Sequence, residues 1–301
     1  MAKKSGRAVR AAGLLAVQGE SKNRKGGVRN GTSTVARSSK RRNVSKSSSG
    51  VDSVAGKQAA ASRRPFAVFD IDGTLVRWQL YHAIAEALAK RGHIDAKTRQ
   101  KIKNARMVWK VRTHNESFAA YQTELIAAYE KLLLDLSYKD FNQAAKTVFE
   151  QYKDQVYIYT RELIKKLKKD GYLLFAISGS QIEIVSKIAK YYGFDDCVGT
   201  VYAHEKDKFT GAVTIHLGGK HVVLQELITK HHASLAGSVA VGDGAREISM
   251  LEMVETPIAF NPEKNLFDHA KGKGWKIVIE RKNMVYELEK QNGRYILVKA
   301  S

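Results

Sequence analysis

The chain has 301 residues and a formal net charge of +21, which is divided unevenly along its length. Residues 1–64 hold 16 Lys or Arg and 2 Asp or Glu, hence +14, and contain no aromatic residue. This composition excludes a packed domain, because it cannot bury enough apolar surface to offset the entropy of ordering, and it predicts a disordered basic tail. The remaining 237 residues suffice for one core with an inserted subdomain.

The cysteine content and the hydropathy of the chain bear on its cellular compartment. The single cysteine, Cys197, excludes an intramolecular disulfide and fits a reducing compartment. No apolar run approaches the roughly 18 residues that a membrane-spanning helix needs, so we expect no membrane partner and a cytoplasmic location. The amino terminus, rich in Arg and Ser and poor in acids, is also compatible with an organellar transit peptide, and that alternative stays open.

The first predicted element is a buried strand over residues 66–69, bounded by Pro65 and an Asp-Gly turn. It leads into Asp70 and Asp72, two carboxylates at i and i+2 that share one side of an extended chain. Adjacent carboxylates repel each other and favour a shared proton or a bound cation. The pair is suited to metal-assisted chemistry on an anionic ester.

A helical segment follows, from residue 78 to about residue 153, without proline or strand pattern. Apolar residues recur there at helical spacing in about four stretches, which predicts a helical insertion covering a neighbouring site. Residues 76–114 contain ten Lys or Arg and two Asp or Glu. Arg77 and Trp78 lie nearest the carboxylate pair and could contact a substrate by ion pairing and stacking, or else serve the surface and core of the insertion.

Strands and helices alternate in the rest of the chain. The predicted strands cover 172–177, 198–202, 211–215, 238–241, 257–260 and 275–280, and the predicted helices cover 159–169, 182–191, 222–231, 248–254 and 266–271. This alternation predicts a doubly wound parallel α/β sheet, whose ligands bind beyond the carboxyl ends of the strands. Asn292-Gly293 predicts a final hairpin within residues 284–298.

The expected organisation therefore has three parts. They are a disordered basic tail at 1–64, an α/β core at 65–76 and 156–301, and a helical cap at 77–155.

Three further motifs follow predicted strands. Ser178 and Gly179 offer a hydroxyl and a backbone amide at a helix start, where anions bind. Lys220 begins a later helix, and Asp243 lies between two glycines with Glu247 four residues on. Each motif alone also fits a turn, a helix cap or a surface lysine. A functional interpretation therefore depends on the order of the motifs along the chain.

The strand followed by Asp70-Ile71-Asp72-Gly73-Thr74, with the three later motifs in register, resembles the haloacid dehalogenase superfamily of phosphohydrolases. The resemblance covers about residues 66–280 and is closest to the phosphoserine-phosphatase-like branch, which also has a helical cap between its first two motifs. It implies that Asp70 is a nucleophile forming an aspartyl-phosphate and that Asp72 is the general acid and base. It also implies that Ser178, Gly179 and Lys220 bind the phosphoryl group.

The same resemblance implies a Mg²⁺ site formed by Asp70, Asp72, Asp243 and Glu247, where relatives usually carry Asp instead of Glu247. In the serine phosphatase, an acid nine residues after the nucleophile binds the substrate ammonium, and a cap arginine binds its carboxylate. Here these positions hold Gln79 and, in our alignment, Leu125. We therefore expect a small phosphorylated metabolite other than phosphoserine.

The sequence thus predicts a Mg²⁺-dependent phosphomonoester hydrolase. One alternative is a phosphotransferase, in which an alcohol replaces water in the second step. Another is a nucleic-acid-binding protein that uses a phosphatase-like platform, because a basic flexible tail binds polyanions with little sequence preference.

Overall fold

The computed structural model of the protein describes residues 63–111, 114, 117–214 and 219–301. The predicted tail lies outside this part of the chain, apart from Arg63 and Arg64. Among the described residues, no helix combines the length and apolar character needed to cross a membrane.

Within these described residues, nine strands form one sheet in the order β4-β3-β2-β1-β5-β6-β7-β8-β9. The strands are β1 (Pro65–Phe69), β2 (Leu173–Gln181), β3 (Asp196–Glu205), β4 (Lys208–Thr214), β5 (Ser234–Gly242), β6 (Thr256–Phe260), β7 (Lys276–Arg281), β8 (Met284–Gln291) and β9 (Arg294–Ala300). The pairs among β3, β2, β1, β5, β6 and β7 are parallel, and β4, β8 and β9 add antiparallel edges. The expected doubly wound sheet is confirmed.

Two details of the sheet bear on the predictions. The β8–β9 turn occurs at Asn292 and Gly293, which both adopt positive φ angles, +50° and +78°, as a tight hairpin turn requires. Strand β2 runs four residues beyond the predicted end at Ile177, through the Ser-Gly motif to Gln181. It does so because a register shift lets Gln181 pair with Thr200 of β3.

The helices between β1 and β2 include the four expected in the insertion. They are α1 (Leu80–Lys90), α2 (Ala96–Val111), α3 (Ser117–Leu133) and α4 (Tyr138–Tyr152), and α5 (Ile158–Lys169) leads back to the sheet. The later helices are α6 (Ile182–Tyr192), α7 (Lys220–His231), α8 (Ile248–Leu251) and α9 (Lys264–Lys273).

The hydrophobic core lies on both faces of the sheet. Ala67 and Phe69 of β1 belong to the apolar cluster that includes α1 and α4, whereas Phe66 and Val68 belong to the cluster with α7 and α9. Alternate residues of a strand face opposite sides, so a central strand covered on both faces must be apolar throughout. A third, smaller cluster joins α1, α2 and α3. Because α1 and α4 share their core with the sheet, the packing of these helices does not mark where a cap would begin or end. The proposed cap at 77–155 stays a prediction.

Candidate active site

Asp72 is fixed by two hydrogen bonds from different parts of the chain. The Leu80 amide, at the start of α1, donates to Asp72 Oδ1 at 2.6 Å, and the Ser178 hydroxyl donates to Oδ2 at 2.8 Å. The Ser180 amide in turn donates to the Ser178 oxygen at 2.9 Å. Both Asp72 oxygens are thus oriented, one by the helical insertion and one by the end of β2.

Asp70 directly follows β1 and meets a buried lysine. Lys220, the first residue of α7, places its Nζ 2.5 Å from Asp70 Oδ1 and 2.6 Å from Glu247 Oε1, and it donates to the Ile177 carbonyl at 3.1 Å. The three charged side chains are between 6% and 13% exposed. One ammonium therefore bridges two carboxylates at the carboxyl end of the sheet.

Asp243 packs against the turn that follows Asp72. Gly73 has a φ of +86°, and a Cβ added there would lie 2.2 Å from Asp243 Oδ2. Only glycine accommodates both the backbone angle and this contact. The Thr74 hydroxyl approaches Asp243 Oδ1 at 3.4 Å. The Asp-Gly-Thr turn is therefore shaped to admit the third acid.

Negative charge is in excess at this site. Burial raises the pKa of Asp70 to about 7, since Lys220 offsets the burial only in part while Glu247 and Asp72 add to it. Burial raises the pKa of Asp243 well above its usual value, and the nearby charges of Asp70 and Glu247 raise it further. The pKa of Lys220 is also raised, because Asp70 and Glu247 outweigh the opposing effect of burial. A single ammonium does not balance these acids.

The donor set is compatible with Mg²⁺. The charge excess favours a divalent cation, and the oxygen ligands are of the kind that Mg²⁺ prefers. No three His, Cys, Asp or Glu side chains of the described residues converge into a complete metal cage. Mg²⁺ needs no such cage, because it commonly keeps several waters and binds through one or two carboxylates and the substrate phosphate. Both carboxylate oxygens of Glu247 have partners, Lys220 on Oε1 and the Gly244 amide on Oε2 at 2.9 Å, whereas Lys220 contacts Oδ1 of Asp70. Asp70 and Asp243 therefore stay the candidate carboxylates for a cation.

Two predicted substrate contacts have other partners. The Arg77 guanidinium pairs with Glu280, and its Nε donates to the Val156 carbonyl at 2.8 Å. Trp78 stacks on Tyr152, with ring centroids 6.5 Å apart and an interplanar angle of 2°. The stacking favours the alternative that Trp78 belongs to the core of the insertion, and Glu280 ties Arg77 to strand β7. Substrate binding by Arg77 and Trp78 stays a prediction.

The sequence model of the haloacid dehalogenase-like hydrolases matches residues 67–252, which is more than half of the chain. The chain belongs to this family. A phosphoserine phosphatase of Mycobacterium tuberculosis is 26% identical over 247 residues, covering 78% of this chain and 79% of the relative. A histidinol-phosphatase of Neisseria meningitidis is 24% identical and covers 70% of this chain and 97% of its own.

Two solved structures have a fold similar to that of this haloacid dehalogenase-like chain. A substrate-bound phosphoserine phosphatase aligns with a TM-score of 0.52 and 25% identity, covering 73% of this chain and 95% of that one. A protein of unknown function from Bordetella pertussis shares the fold, with a TM-score of 0.57 and 18% identity. The chain is therefore a phosphatase of the phosphoserine-phosphatase-like type.

The structure brings together most of the residues that the sequence singled out. Ser178 and Asp72 are joined directly, as are Lys220, Asp70 and Glu247, and Asp243 adjoins the Gly73 turn. The sequence missed the Leu80 amide, because a backbone donor eight residues after Asp72 carries no residue-type signal.

Proposed function

We propose that this phosphatase hydrolyses a small phosphomonoester through an aspartyl-phosphate on Asp70, with Mg²⁺ as cofactor. The observation that carries the proposal is the separation of roles between two neighbouring carboxylates. Asp70 pairs with a buried ammonium, whereas Asp72 is oriented by two neutral donors. One acid is thus placed where charge is neutralised, and the other is held for proton transfer.

The first chemical step uses both acids. An Asp70 carboxylate oxygen forms a bond to phosphorus while the bond from phosphorus to the leaving oxygen breaks. Asp72 gives a proton to that leaving oxygen, and burial favours this role because it raises the pKa of the Asp72 carboxyl. Lys220 neutralises part of the charge on Asp70 and on the transferred group.

The second step restores the enzyme. Asp72, now ionised, takes a proton from a water molecule, whose oxygen attacks phosphorus and releases Asp70 and inorganic phosphate. The Ser178 hydroxyl and the Gly179 amide are proposed to orient the phosphoryl oxygens. Mg²⁺ held by Asp70 and Asp243 would offset the negative charge of the phosphoryl group.

We propose a substrate other than phosphoserine. Gln79, at the start of α1, carries no charge for an ammonium, and Leu125 of α3 is 2% exposed, packed with Ile102 and Tyr121. A substrate carboxylate would find no partner in that apolar cluster, and an unpaired buried charge is costly.

A screen of phosphorylated metabolites with Mg²⁺ and with EDTA tests this function. Asp70→Asn should lower kcat by at least about 10³-fold, and Asp72→Asn by about 10²- to 10⁴-fold. Asp268→Asn, a change at an exposed acid on α9, is the matched control and should keep full activity. Full activity of Asp70→Asn in EDTA would contradict the mechanism. Added acceptor alcohols would reveal a phosphotransferase by forming new phosphoesters at the expense of free phosphate.

A further inference from the structure

The chain passes twice between the sheet and helices α1–α4, and the two passages are bonded to each other. The outgoing passage follows β1, and the returning passage precedes α5. The Arg77 amide donates to the Gln155 carbonyl at 2.9 Å, and the Tyr157 amide donates to the Leu75 carbonyl at 3.0 Å. The two passages therefore form a short ladder at the base of the helical insertion.

The Arg77 side chain fastens this ladder to strand β7. Its Nε donates to the Val156 carbonyl at 2.8 Å, and its guanidinium pairs with Glu280. The Glu280 carboxylate also accepts the Ile158 and Tyr159 amides, at 3.1 and 2.9 Å. These amides begin α5, and the residue that precedes the helix offers no side-chain cap. We call Arg77, Val156 and Glu280 the crossover clasp.

The clasp has a single arrangement, because Glu280 is held from several directions. Its side chain is fully buried, with Arg77 and the Ile158 amide on Oε1 and the Tyr159 amide on Oε2. Its own amide donates to the Asn261 side chain at 2.8 Å. A buried carboxylate needs such partners, and an exposed ion pair has no comparable constraint. Glu280 therefore fixes the position of the Arg77 guanidinium.

Two contacts connect the clasp to Asp72. Val76 forms one β-bridge with Val156 and another with Asp72 itself. Leu80, three residues after Arg77, donates its amide to Asp72 Oδ1 at 2.6 Å. A shift of the outgoing passage would therefore displace both the backbone and the carboxylate of Asp72. A misplacement of about 1 Å can lower a rate by about 10²-fold.

We propose that Arg77 and Glu280 are positioning residues of this phosphatase, which keep the Asp72 carboxylate directed at the leaving oxygen of the substrate. The inference rests on the proposed role of Asp72 as proton donor and names two residues that orient it. They act through the Val76 bridges and the Leu80 amide. This role is an alternative to the predicted binding of substrate by Arg77, and the test separates the two.

The test uses two esters of similar size, phenyl phosphate and p-nitrophenyl phosphate, both assayed with Mg²⁺. Phenolate is a poor leaving group unless it receives a proton, whereas p-nitrophenolate leaves readily without one. The placement of the proton donor therefore matters more for phenyl phosphate. The ratio of the two kcat/KM values does not depend on the fraction of enzyme that is folded, so a purely structural defect leaves it unchanged.

Arg77→Met and Glu280→Gln should each lower kcat/KM for phenyl phosphate about 10-fold more than for p-nitrophenyl phosphate. This is a part of the roughly 10²- to 10⁴-fold that a general acid supplies. Arg77→Lys should lose less than Arg77→Met, because it keeps a cation beside Glu280. The matched control is Arg161→Met, because Arg161 pairs with Glu162 on the surface of α5, where the two side chains are 37% and 50% exposed. It should keep the wild-type ratio.

Thermal melting separates positioning from folding. Arg77→Met leaves the Glu280 charge buried without a cation, so Tm should fall. Adding Glu280→Gln removes that charge and keeps an acceptor for the amides of α5. The double variant should therefore melt above Arg77→Met, while its ratio of kcat/KM values stays low because the clasp is still broken. Recovery of both Tm and the ratio would show a purely structural role and overturn the inference.

The outcomes also distinguish this inference from the proposed function. Asp72→Asn should itself lower activity on phenyl phosphate more than on p-nitrophenyl phosphate. Equal losses on both esters would refute the proposed role of Asp72, and the inference with it. If Asp72→Asn discriminates but Arg77→Met and Glu280→Gln keep the wild-type ratio, the inference alone is overturned.

Substrate binding by Arg77 would give a different pattern. KM for both esters would rise in Arg77→Met and stay unchanged in Glu280→Gln, at a wild-type ratio of kcat/KM values, and that result would overturn the inference. If Arg77→Met does not fold, Glu280→Gln and Arg77→Lys decide by the same ratio.

Discussion

Replacing Lys220 by Met should destabilise the metal-free protein strongly and in a pH-dependent way. Lys220 is the ammonium that faces Asp70 and Glu247 at 2.5 and 2.6 Å, and all three side chains are at most 13% exposed. Methionine is of similar length but leaves both carboxylates without a cation. Removing one partner of a buried ion pair costs about 3–5 kcal/mol, because the other partner stays buried and charged.

The sign of the pH dependence follows from the raised pKa of Asp70. Its folded value is about 7 against an ordinary 3.8, so the folded protein binds this proton more tightly than the unfolded chain does. The stability that this proton contributes is present below about pH 4 and is lost as the pH rises through about 7, a change of about 4 kcal/mol in the free energy of unfolding. Protonation also removes the charge that Lys220 compensates, so the deficit of Lys220→Met should shrink as the pH falls.

Urea unfolding of both proteins in EDTA at pH 5, 6.5 and 8 measures this. Lys220→Met should lose about 3–5 kcal/mol at pH 8 and clearly less at pH 5. The matched control is Lys264→Met, because Lys264 pairs with Asp268 on the exposed face of α9, where the two side chains are 64% and 56% exposed. It should cost below about 1 kcal/mol at every pH. A loss below about 1 kcal/mol for Lys220→Met at pH 8, or an equal loss at pH 5 and pH 8, would refute the reasoning.

Three more predictions follow from the site and its surroundings. In EDTA, Asp243→Asn should raise Tm, because it removes a buried acid whose pKa is raised by burial and by the charges of Asp70 and Glu247. Mg²⁺ should increase the Tm of wild type and should leave the Tm of Asp243→Asn unchanged. Gly73→Ala should lower kcat/KM at least about 10-fold and destabilise the protein, because the added Cβ would meet Asp243 Oδ2. The control is Gly272→Ala in α9, where a Cβ meets no atom within 4 Å. It should leave activity intact and melt at an equal or higher temperature. A protein beginning at Arg63 should keep its kcat/KM, since Arg64 still bonds to the Gly171 and Tyr172 carbonyls, while only the full-length chain should bind DNA at low salt in a mobility-shift assay. Equal DNA binding by both proteins would assign that surface to the basic cap instead of the tail.

The sequence by itself determined the elements of the fold and the order of the motifs. A continuous apolar run of four residues that is bounded by Pro65 and a turn favours a strand buried on both faces, and residues 66–69 do lie between β2 and β5. Asn292-Gly293 fixed the final hairpin for a similarly local reason, since both residues tolerate positive φ angles. These features depend on the backbone preferences of single residues and on the spacing of apolar residues, and both can be read from a short stretch of sequence.

Only the tertiary structure decided which side chains meet. Lys220 and Asp70 are 150 residues apart, and neither spacing nor composition shows that the lysine also bridges to Glu247. Arg77 was a candidate for substrate binding in the sequence, and folding places Glu280 beside it.

The same holds for Tyr81, Tyr129 and Tyr202, whose rings pack together although they come from two helices and a strand and belong to no motif. Contacts between distant elements depend on helix packing and strand register, and a residue's hydrogen-bonding needs are met or left unmet only once those are set.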